Sequence, residues 1–186
     1  MNLASAEHQH TSTVTQLSLP QLLQPDLVAP GTLVELPLHQ LLAQGIRALV
    51  LDVDRTLLPR HGNELPPAVE AWLRRAQQTL PLHLFSNNPS RSRIGGVAER
   101  LGVNFTTSAG KPRRGPLRRV LEQLDLPHGQ VAIVGDRVFT DVLAGNRLGL
   151  YTVLVKPVNP NGEPCRHDHW QRLEVRLAQL AGASLR

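Results

Sequence analysis

Residues 48–57 read ALVLDVDRTL, and they carry the clearest signal of the fold. It begins with a continuous apolar run that closes on Asp52, as expected of a strand buried on both faces of a parallel sheet. A second acid, Asp54, follows two positions later. In an extended strand the side chains of positions i and i+2 point to the same face. The stretch therefore predicts a buried strand over 48–53 that presents two carboxylates to one face.

Two carboxylates directly after a buried strand need cations, hydrogen-bond donors or water, because an unpaired buried carboxylate is costly. A Mg²⁺ ion would stabilise both Asp52 and Asp54, since it prefers oxygen ligands and is commonly held by one or two carboxylates plus phosphate. The alternative is a purely local role, in which the acids cap a helix or form an Asx-turn.

Strand and helix patterns alternate along the rest of the chain. Further strands are predicted over 82–86, 103–106, 131–134 and 150–155, and helices over 37–43, 66–80, 90–101, 116–124, 138–147 and 169–180. Such alternation implies right-handed crossovers and a sheet covered on both faces. The predicted fold is α/β, a three-layer Rossmann-like arrangement with a mostly parallel central sheet.

The chain is long enough, at 186 residues, for one domain with a sizeable core. Residues 1–16 are polar and predict a disordered tail, which leaves 17–186 as a single domain with a catalytic core of about 46–155. The segment 17–36 is apolar but interrupted by prolines. It could rest on a bilayer surface or pack against the sheet.

Net charge and aromatic content indicate which kinds of molecule the protein binds. The formal charge is +5, and between Arg91 and Arg119 eight basic residues face one acid, Glu99. Such a patch attracts phosphates, anionic lipid or nucleic acid, or is a solvated basic face. Aromatic residues make up 3% of the chain, which argues against a base-stacking surface and makes nucleic acid the less favoured partner.

Cellular location is predicted from cysteine content and hydropathy. The single cysteine, Cys165, excludes an internal disulfide and fits a reducing compartment. No apolar run approaches the ~20 residues that a membrane-spanning helix needs. We therefore expect a cytoplasmic protein whose membrane contacts, if it makes any, are peripheral.

Polar residues also follow later strands. Ser86 and Asn87 end the second strand, where a hydroxyl and backbone N–H groups can hold a phosphoryl oxygen or simply form a turn. Lys111 can neutralise a phosphoryl group, although most lysines are solvated. Asp136, after another apolar strand, could bind a metal, and Asp141 could contact it directly or through water. Both could equally be charges favoured at a helix N-terminus.

Four motifs follow one another along the chain: the acids at 52 and 54, the polar pair at 86–87, Lys111, and the acids at 136 and 141. In this order they resemble the motifs of the haloacid dehalogenase-like (HAD) superfamily of phosphohydrolases. The shared pattern is Asp-x-Asp-x-Thr, a Ser or Thr at a strand end, a Lys, and Gly-Asp followed by a further acid. The resemblance covers about 46–155, and the motif spacing is similar to the class IIIA branch. Residues 22–26 and 45–47 resemble a subgroup that includes phosphatidylglycerophosphate phosphatases.

The resemblance implies a Mg²⁺-dependent phosphomonoester hydrolase that works through an aspartyl-phosphate. Asp52 would be the nucleophile, and Asp54 the general acid and then the general base. Mg²⁺ would be held by Asp52, the backbone carbonyl of Asp54, and Asp136. One position departs from the subgroup, where Asn is common and this chain has Arg55. That arginine could pair with the acids, reach the substrate phosphate or weaken Mg²⁺ binding by repulsion.

The remaining motif residues are expected on the substrate side. By the same resemblance, Ser86 and Lys111 would hold the transferring phosphoryl group, with Asn87 as a nearby backbone donor. Thr56 is placed with the substrate-binding residues and is expected to order the nucleophile loop.

Motif spacing predicts an open site. About 30 residues separate Thr56 from Ser86 and about 24 separate Asn87 from Lys111, too few for a separate cap domain, because independent domains usually need 50 residues or more. An uncapped site admits a phosphate at the tip of a large molecule. The favoured substrate is a phospholipid head-group phosphate such as phosphatidylglycerophosphate.

Two alternatives stay open. The same chemistry could serve a phosphatase of nucleic-acid ends or of phosphoproteins. A non-catalytic phospho-switch or binding module would also carry acids, a hydroxyl and a lysine, although receiver-like switches place their acids on different strands. The sequence leaves the oligomeric state open.

Overall fold

A computed structural model describes residues 17–165 and 168–185, where six strands form one sheet. The strands are β1 Leu27–Val28, β2 Ala48–Leu51, β3 Leu82–Phe85, β4 Asn104–Thr106, β5 Val131–Gly135 and β6 Tyr151–Leu154. Their order is β1-β6-β5-β2-β3-β4, and every pairing is parallel. The predicted α/β fold is confirmed. The predicted disordered tail, 1–16, lies outside the described residues.

Seven α-helices accompany the strands in the described part of the chain. They are α1 Leu19–Leu23, α2 Leu38–Ala43, α3 Pro67–Gln77, α4 Arg91–Leu101, α5 Arg114–Leu124, α6 Leu143–Asn146 and α7 His169–Leu180. Local signals explain their ends: the Ser90 side chain accepts from the Arg93 N–H before α4, and Gly102 ends α4 at φ 67°. The Asp168 side chain caps α7 by accepting from two backbone N–H groups of its first turn.

The central strand β2 shows why the molecule has three layers. All four of its residues are buried, and they alternate between two apolar clusters. Leu49 and Leu51 pack in the cluster that contains residues of α3 and α4. Ala48 and Val50 pack with residues of α5 on the opposite face. A strand covered on both sides must be apolar throughout, which is the pattern that predicted it.

Two regions differ from the sequence-based prediction. In the mixed segment before residue 45, β1 pairs with β6, and Leu23, Leu33 and Leu36 are buried. Of the two alternatives for 17–36, these residues follow the one in which the segment packs against the sheet, while Leu17 and Leu19 near its start remain exposed. The helix predicted over 138–147 is divided into a π-helical turn, Val138–Val142, and α6.

None of the helices in the described ranges combines the length and the apolar character that crossing a bilayer requires.

Candidate active site

The site lies where the carboxyl ends of three neighbouring strands meet. β2 lies between β3 and β5 in the sheet, so the residues that follow these strands converge at one edge. A cavity of about 150 Å³ opens there. It is lined by Asp52, Asp54, Arg55, Ser86, Asn87, Asn88, Lys111, Asp136, Arg137, Thr140 and Asp141. The four sequence motifs, separated by more than 80 residues from first to last, thus meet in one pocket.

Lys111 is the central cation of this pocket. Its Nζ donates to Asp52 Oδ1 at 2.5 Å, Asp141 Oδ1 at 2.7 Å and the Phe85 carbonyl at 3.0 Å. Burial by itself lowers the pKa of this ammonium, but the carboxylates of Asp141 and Asp52 outweigh burial and the pKa is raised. Lys111 is therefore held charged, with all three of its hydrogens engaged.

Asp52 is oriented by two donors. Lys111 contacts its Oδ1, and the Thr56 hydroxyl donates to its Oδ2 at 3.0 Å. Burial, with the nearby Asp141 carboxylate adding to it, raises the pKa of Asp52 to about 6 against the opposing effect of Lys111. Thr56 is fully buried and does not line the cavity. Its position matches an ordering role on Asp52 and not direct contact with a substrate.

Three carboxylates form a cluster suited to a divalent cation. One oxygen each from Asp52, Asp136 and Asp141 lies within 4.8 Å of the others. Opposite ligands of a Mg²⁺ ion are about 4.2 Å apart, given Mg–O distances of roughly 2.1 Å. With Lys111 as the buried ammonium bonded to this cluster, three carboxylates leave two formal negative charges, which a divalent cation would neutralise.

An orphaned oxygen supports the same fit. Asp136 Oδ2 is buried and has no hydrogen-bond partner among the described residues, and the Arg55 Nε lies 3.7 Å from it. Burial, together with the charges of Asp52 and Asp141, raises the pKa of Asp136 well above its ordinary value. A buried carboxylate oxygen without a donor is costly unless a cation meets it. The residues present therefore fit a hard metal ion.

Asp141 enters this cluster because of the local backbone. Both Asp141 N–H and Val142 N–H donate to the Arg137 carbonyl, which creates the π-helical turn. The Asp141 side chain then turns back over Gly135, where an added Cβ would lie 2.2 Å from the Asp141 Cγ. Only a glycine leaves this space, so the Gly-Asp sequence at 135–136 serves Asp141 as well as Asp136. The sequence left open whether Asp141 contacts the metal. The glycine at position 135 was the one sequence signal that a side chain packs closely there.

Asp54 lies in the pocket but its carboxylate is outside the acidic cluster. Arg93 Nε donates to Asp54 Oδ1 at 2.9 Å, and the Ser86 hydroxyl donates to Asp54 Oδ2 at 3.1 Å. The Asp54 side chain is 32% exposed. Of the predicted metal ligands, Asp54 therefore has its carboxylate outside the cluster and oriented by Arg93. Sequence reasoning had not assigned Arg93 a place in the site.

Asn87 holds the loop that carries the lysine. Its side-chain amide donates to the Lys111 carbonyl at 3.1 Å, and its Oδ1 accepts from the Lys111 N–H at 2.7 Å. This reciprocal pair fixes Lys111 relative to the end of β3.

Arg55 joins the loop that follows β2 to α7. At φ 73° it occupies the left-handed region, and its guanidinium forms an ion pair with Asp168 besides lying near Asp136. Of the three roles expected for Arg55, the structure shows the pairing with acids. α7 makes a second contact, because Gln171 Nε2 donates to the Asp136 carbonyl at 2.7 Å.

Comparison with known proteins supports the same family. The protein named probable phosphatase YqeG, from Bacillus subtilis (strain 168), is 31% identical over 121 residues, which are 64% of this chain and 70% of that protein. The chain belongs to the HAD-like family of phosphatases. A family model described as HAD-hyrolase-like matches residues 108–169 of this phosphatase, the part that carries Lys111, Asp136 and Asp141.

Two further likenesses complete the comparison. The chloroplastic phosphatidylglycerophosphate phosphatase 1 of Chlamydomonas reinhardtii is 29% identical over 157 residues, 80% of this chain, and the chain spans 56% of that protein's length. The crystal structure of an uncharacterized protein from Listeria monocytogenes serotype 4b has a TM-score of 0.51 at 17% identity, covering 67% of this chain and 84% of that one. That structure supports the fold alone.

Proposed function

We propose that this HAD-like phosphatase is a Mg²⁺-dependent phosphomonoesterase that works through an aspartyl-phosphate on Asp52. The observation that carries the proposal is the convergence of Asp52, Asp136 and Asp141 around Lys111 at one sheet edge. Asp52, Asp136, Asp141 and the backbone carbonyl of Asp54 would hold Mg²⁺. The ion supplies positive charge to the nucleophile and to the phosphoryl oxygens.

The chemistry divides between the two acids of the first motif. An Asp52 oxygen attacks phosphorus, the phosphorus bond to the leaving oxygen breaks, and Asp54 gives that oxygen a proton. Water then attacks the phosphorus of the aspartyl-phosphate, with Asp54 taking its proton, and phosphate and free Asp52 are released. The partial exposure of Asp54 supports this role, because it can exchange protons with solvent.

Phosphoryl binding falls to the donors around the cavity. Lys111 would neutralise charge on the transferring group, and Ser86 and the backbone of Asn87 would donate hydrogen bonds to its oxygens. Lys111 and Ser86 now bind the carboxylates of Asp52 and Asp54, so each would move only a short distance to reach a phosphoryl oxygen. Their burial favours strong electrostatic interaction, because little water screens the charges.

The proposed substrate is a phospholipid head-group phosphate such as phosphatidylglycerophosphate. The likeness to a named phosphatidylglycerophosphate phosphatase supports this choice. Cavity size agrees with it. A volume of about 150 Å³ is well below the roughly 300–1,000 Å³ of pockets that enclose drug-sized ligands, so most of the substrate must remain outside.

The nucleophile is tested by phosphate release with Mg²⁺ from wild type, Asp52→Asn and the control Asp125→Asn. Asp125 is exposed at the end of α5 with φ 50°, a conformation that asparagine tolerates. We expect Asp52→Asn to lose about a thousandfold or more of kcat/KM and the control to match wild type. Equal rates in all three proteins would rule out Asp52 as the nucleophile.

The substrate is tested by comparing kcat/KM on phosphatidylglycerophosphate, 3′-phosphorylated DNA and a phosphopeptide. The lipid is expected to give the highest value. A higher value on the DNA or the peptide would overturn the lipid assignment and leave the phosphatase chemistry intact. An acyl-phosphate on Asp52 that forms but does not turn over would instead indicate a phospho-switch.

A further inference from the structure

The last helix, α7, carries a stripe of exposed apolar side chains, here called the α7 stripe. Its members and their exposed fractions are Trp170 60%, Leu173 48%, Leu177 45% and Leu180 84%. At 100° per residue they fall within about 80° of the helix circumference. Single exposed apolar residues are ordinary, but a contiguous set that includes a tryptophan marks an interaction surface.

The α7 stripe begins beside the active-site pocket. In the first turn of α7, Gln171 donates to the Asp136 carbonyl at 2.7 Å. One turn later, Glu174 accepts from the Val138 N–H at 3.0 Å and forms an ion pair with Arg137, which lines the cavity. Because ten residues separate Trp170 from Leu180, the stripe extends roughly 15 Å along this helix. A surface that binds the stripe would therefore lie close to the residues that line the pocket.

Charge indicates what covers the α7 stripe. Arg176 is exposed and projects from the flank of the stripe that faces away from the protein body. Glu174 is the one acid of the helix, and it is buried against Arg137. The exposed surface of α7 is therefore apolar and cationic, which complements an anionic surface. Two copies of this chain, each with a formal charge of +5, would place like charges together.

We propose that the α7 stripe docks the protein on the surface of an anionic lipid bilayer. This inference rests on the proposed function, since it supplies the route by which a head-group phosphate reaches the pocket. A helix with Trp and Leu on one face and Arg beside them lies flat in the bilayer interface. Arg176 contacts lipid phosphates while the substrate's acyl chains stay in the bilayer.

Vesicle co-sedimentation of the full chain tests the proposal. Vesicles of phosphatidylglycerol and phosphatidylcholine are compared with vesicles of phosphatidylcholine alone at low salt. The test variant is Leu173→Gln/Leu177→Gln, and the matched control is Leu42→Gln. Leu42 is similarly exposed, at 42%, but lies on α2 in a groove at the amino ends of the strands, opposite the active site.

Wild type and the Leu42 control are expected to bind the anionic vesicles, and added salt should weaken that binding. The double variant is expected to bind these vesicles at least about tenfold more weakly than wild type. Trp170 emission should shift to shorter wavelength on binding. Trp72 will not contribute, because it is already buried and donates to the Leu36 carbonyl. Activity on vesicle-borne phosphatidylglycerophosphate, relative to soluble p-nitrophenyl phosphate, should fall in the double variant and not in the control.

The docking proposal would be overturned if wild type did not bind anionic vesicles, or if the double variant bound them as well as wild type does. It would also be overturned if wild type were a dimer, the double variant a monomer, and neither bound vesicles. Failure of the proposed function is separate. It would appear as equal hydrolysis of p-nitrophenyl phosphate by wild type and Asp52→Asn, a measurement that needs no bilayer.

Discussion

At the scale of single residues, the site depends on one ammonium among three carboxylates. Lys111 bonds to Asp52 and Asp141 and is almost completely buried, so little water shares the task of neutralising these acids. Removing one partner of a buried ion pair leaves an uncompensated charge, which costs more than the pair itself contributes. We therefore expect Lys111 to contribute to stability as well as to the proposed phosphoryl binding.

Lys111→Met is expected to lower the free energy of unfolding by about 3–5 kcal/mol in EDTA, because buried carboxylates lose their cation. The chain offers a matched control, since its other lysine, Lys156, is exposed. Lys156→Met should stay within about 0.5 kcal/mol of wild type. Urea unfolding of the three proteins measures both values. A Lys111→Met protein as stable as the control would show that the acids do not need this ammonium.

A second residue-scale prediction concerns His83 on β3. It is 4% exposed, its Nε2 lies 2.9 Å from Thr106 Oγ1, and burial lowers its pKa to about 4. The imidazole of an unfolded chain has a pKa near 6.5, so between about pH 6.5 and 4 the unfolded state binds more protons. The stability contributed by the neutral ring is therefore present above about pH 6.5 and declines as the pH falls toward 4.

His83→Gln should remove this dependence. Urea unfolding at pH 7.5, 6 and 5 should show the difference in stability between wild type and His83→Gln moving against wild type as the pH falls. The control is His39→Gln, which makes the same substitution at an exposed position. A constant difference for His83→Gln would mean that His83 does not titrate below its ordinary value.

At the scale of elements, the π-helical turn after β5 shapes the acidic cluster. The extra residue in the turn lets the Arg137 carbonyl accept from both Asp141 and Val142, and it directs Asp141 over Gly135 toward Lys111. π-bulges within helices are often found at functional sites, because they reposition a side chain without ending the helix. The turn thus completes a cluster whose other two members lie at strand ends.

Gly135→Ala should displace Asp141, since the new Cβ would lie 2.2 Å from the Asp141 Cγ. The expected cost is about 1–3 kcal/mol of stability, together with at least about a tenfold loss of phosphate release. Gly96→Ala on the exposed face of α4 is the control, because its Cβ meets nothing within 4 Å. That change should stabilise the protein by about 0.5–1 kcal/mol. Thermal unfolding and the phosphatase assay measure both, and full activity of Gly135→Ala would contradict the arrangement.

At the scale of the whole molecule, strand order creates the site. Because β2 lies between β5 and β3, Asp52 has Asp136 on one side and Ser86 on the other. The resulting excess of negative charge is a property of the folded state alone, since the unfolded chain holds these acids far apart. A cation that binds this cluster therefore binds the native state preferentially and stabilises it.

Mg²⁺ is expected to raise the melting temperature of wild type. At a hundred times its Kd, an ion that binds only the folded state contributes about 2.7 kcal/mol, or roughly 5–10 °C for a domain of this size. Asp136→Asn should lose most of the shift, because it removes a buried ligand oxygen, while Asp125→Asn should keep it. Calorimetry with and without Mg²⁺ is the measurement. An unchanged shift in Asp136→Asn would exclude this cluster as the ion's site.

Several parts of the site were not predictable from local sequence. The pairing of Arg93 with Asp54 joins residues 39 positions apart, and Gln171 reaches the carbonyl of Asp136 across 35. Such contacts depend on how helices dock on the sheet, which no local pattern encodes. β1 was missed for a related reason. It has two residues and forms by pairing with β6, so its strand conformation depends on a distant partner.

The α/β class, the buried central strand, and the acids, hydroxyl and lysine of the motifs were predictable from the amino-acid sequence alone. They were predictable because apolar periodicity and residues at strand ends are local properties of the chain. Only the tertiary structure decided that Asp141 joins Asp52 and Asp136, that Arg55 pairs with Asp168, and that α7 presents its apolar stripe beside the pocket. These features depend on distances between remote segments, which exist only once the sheet has assembled and the helices have packed on it.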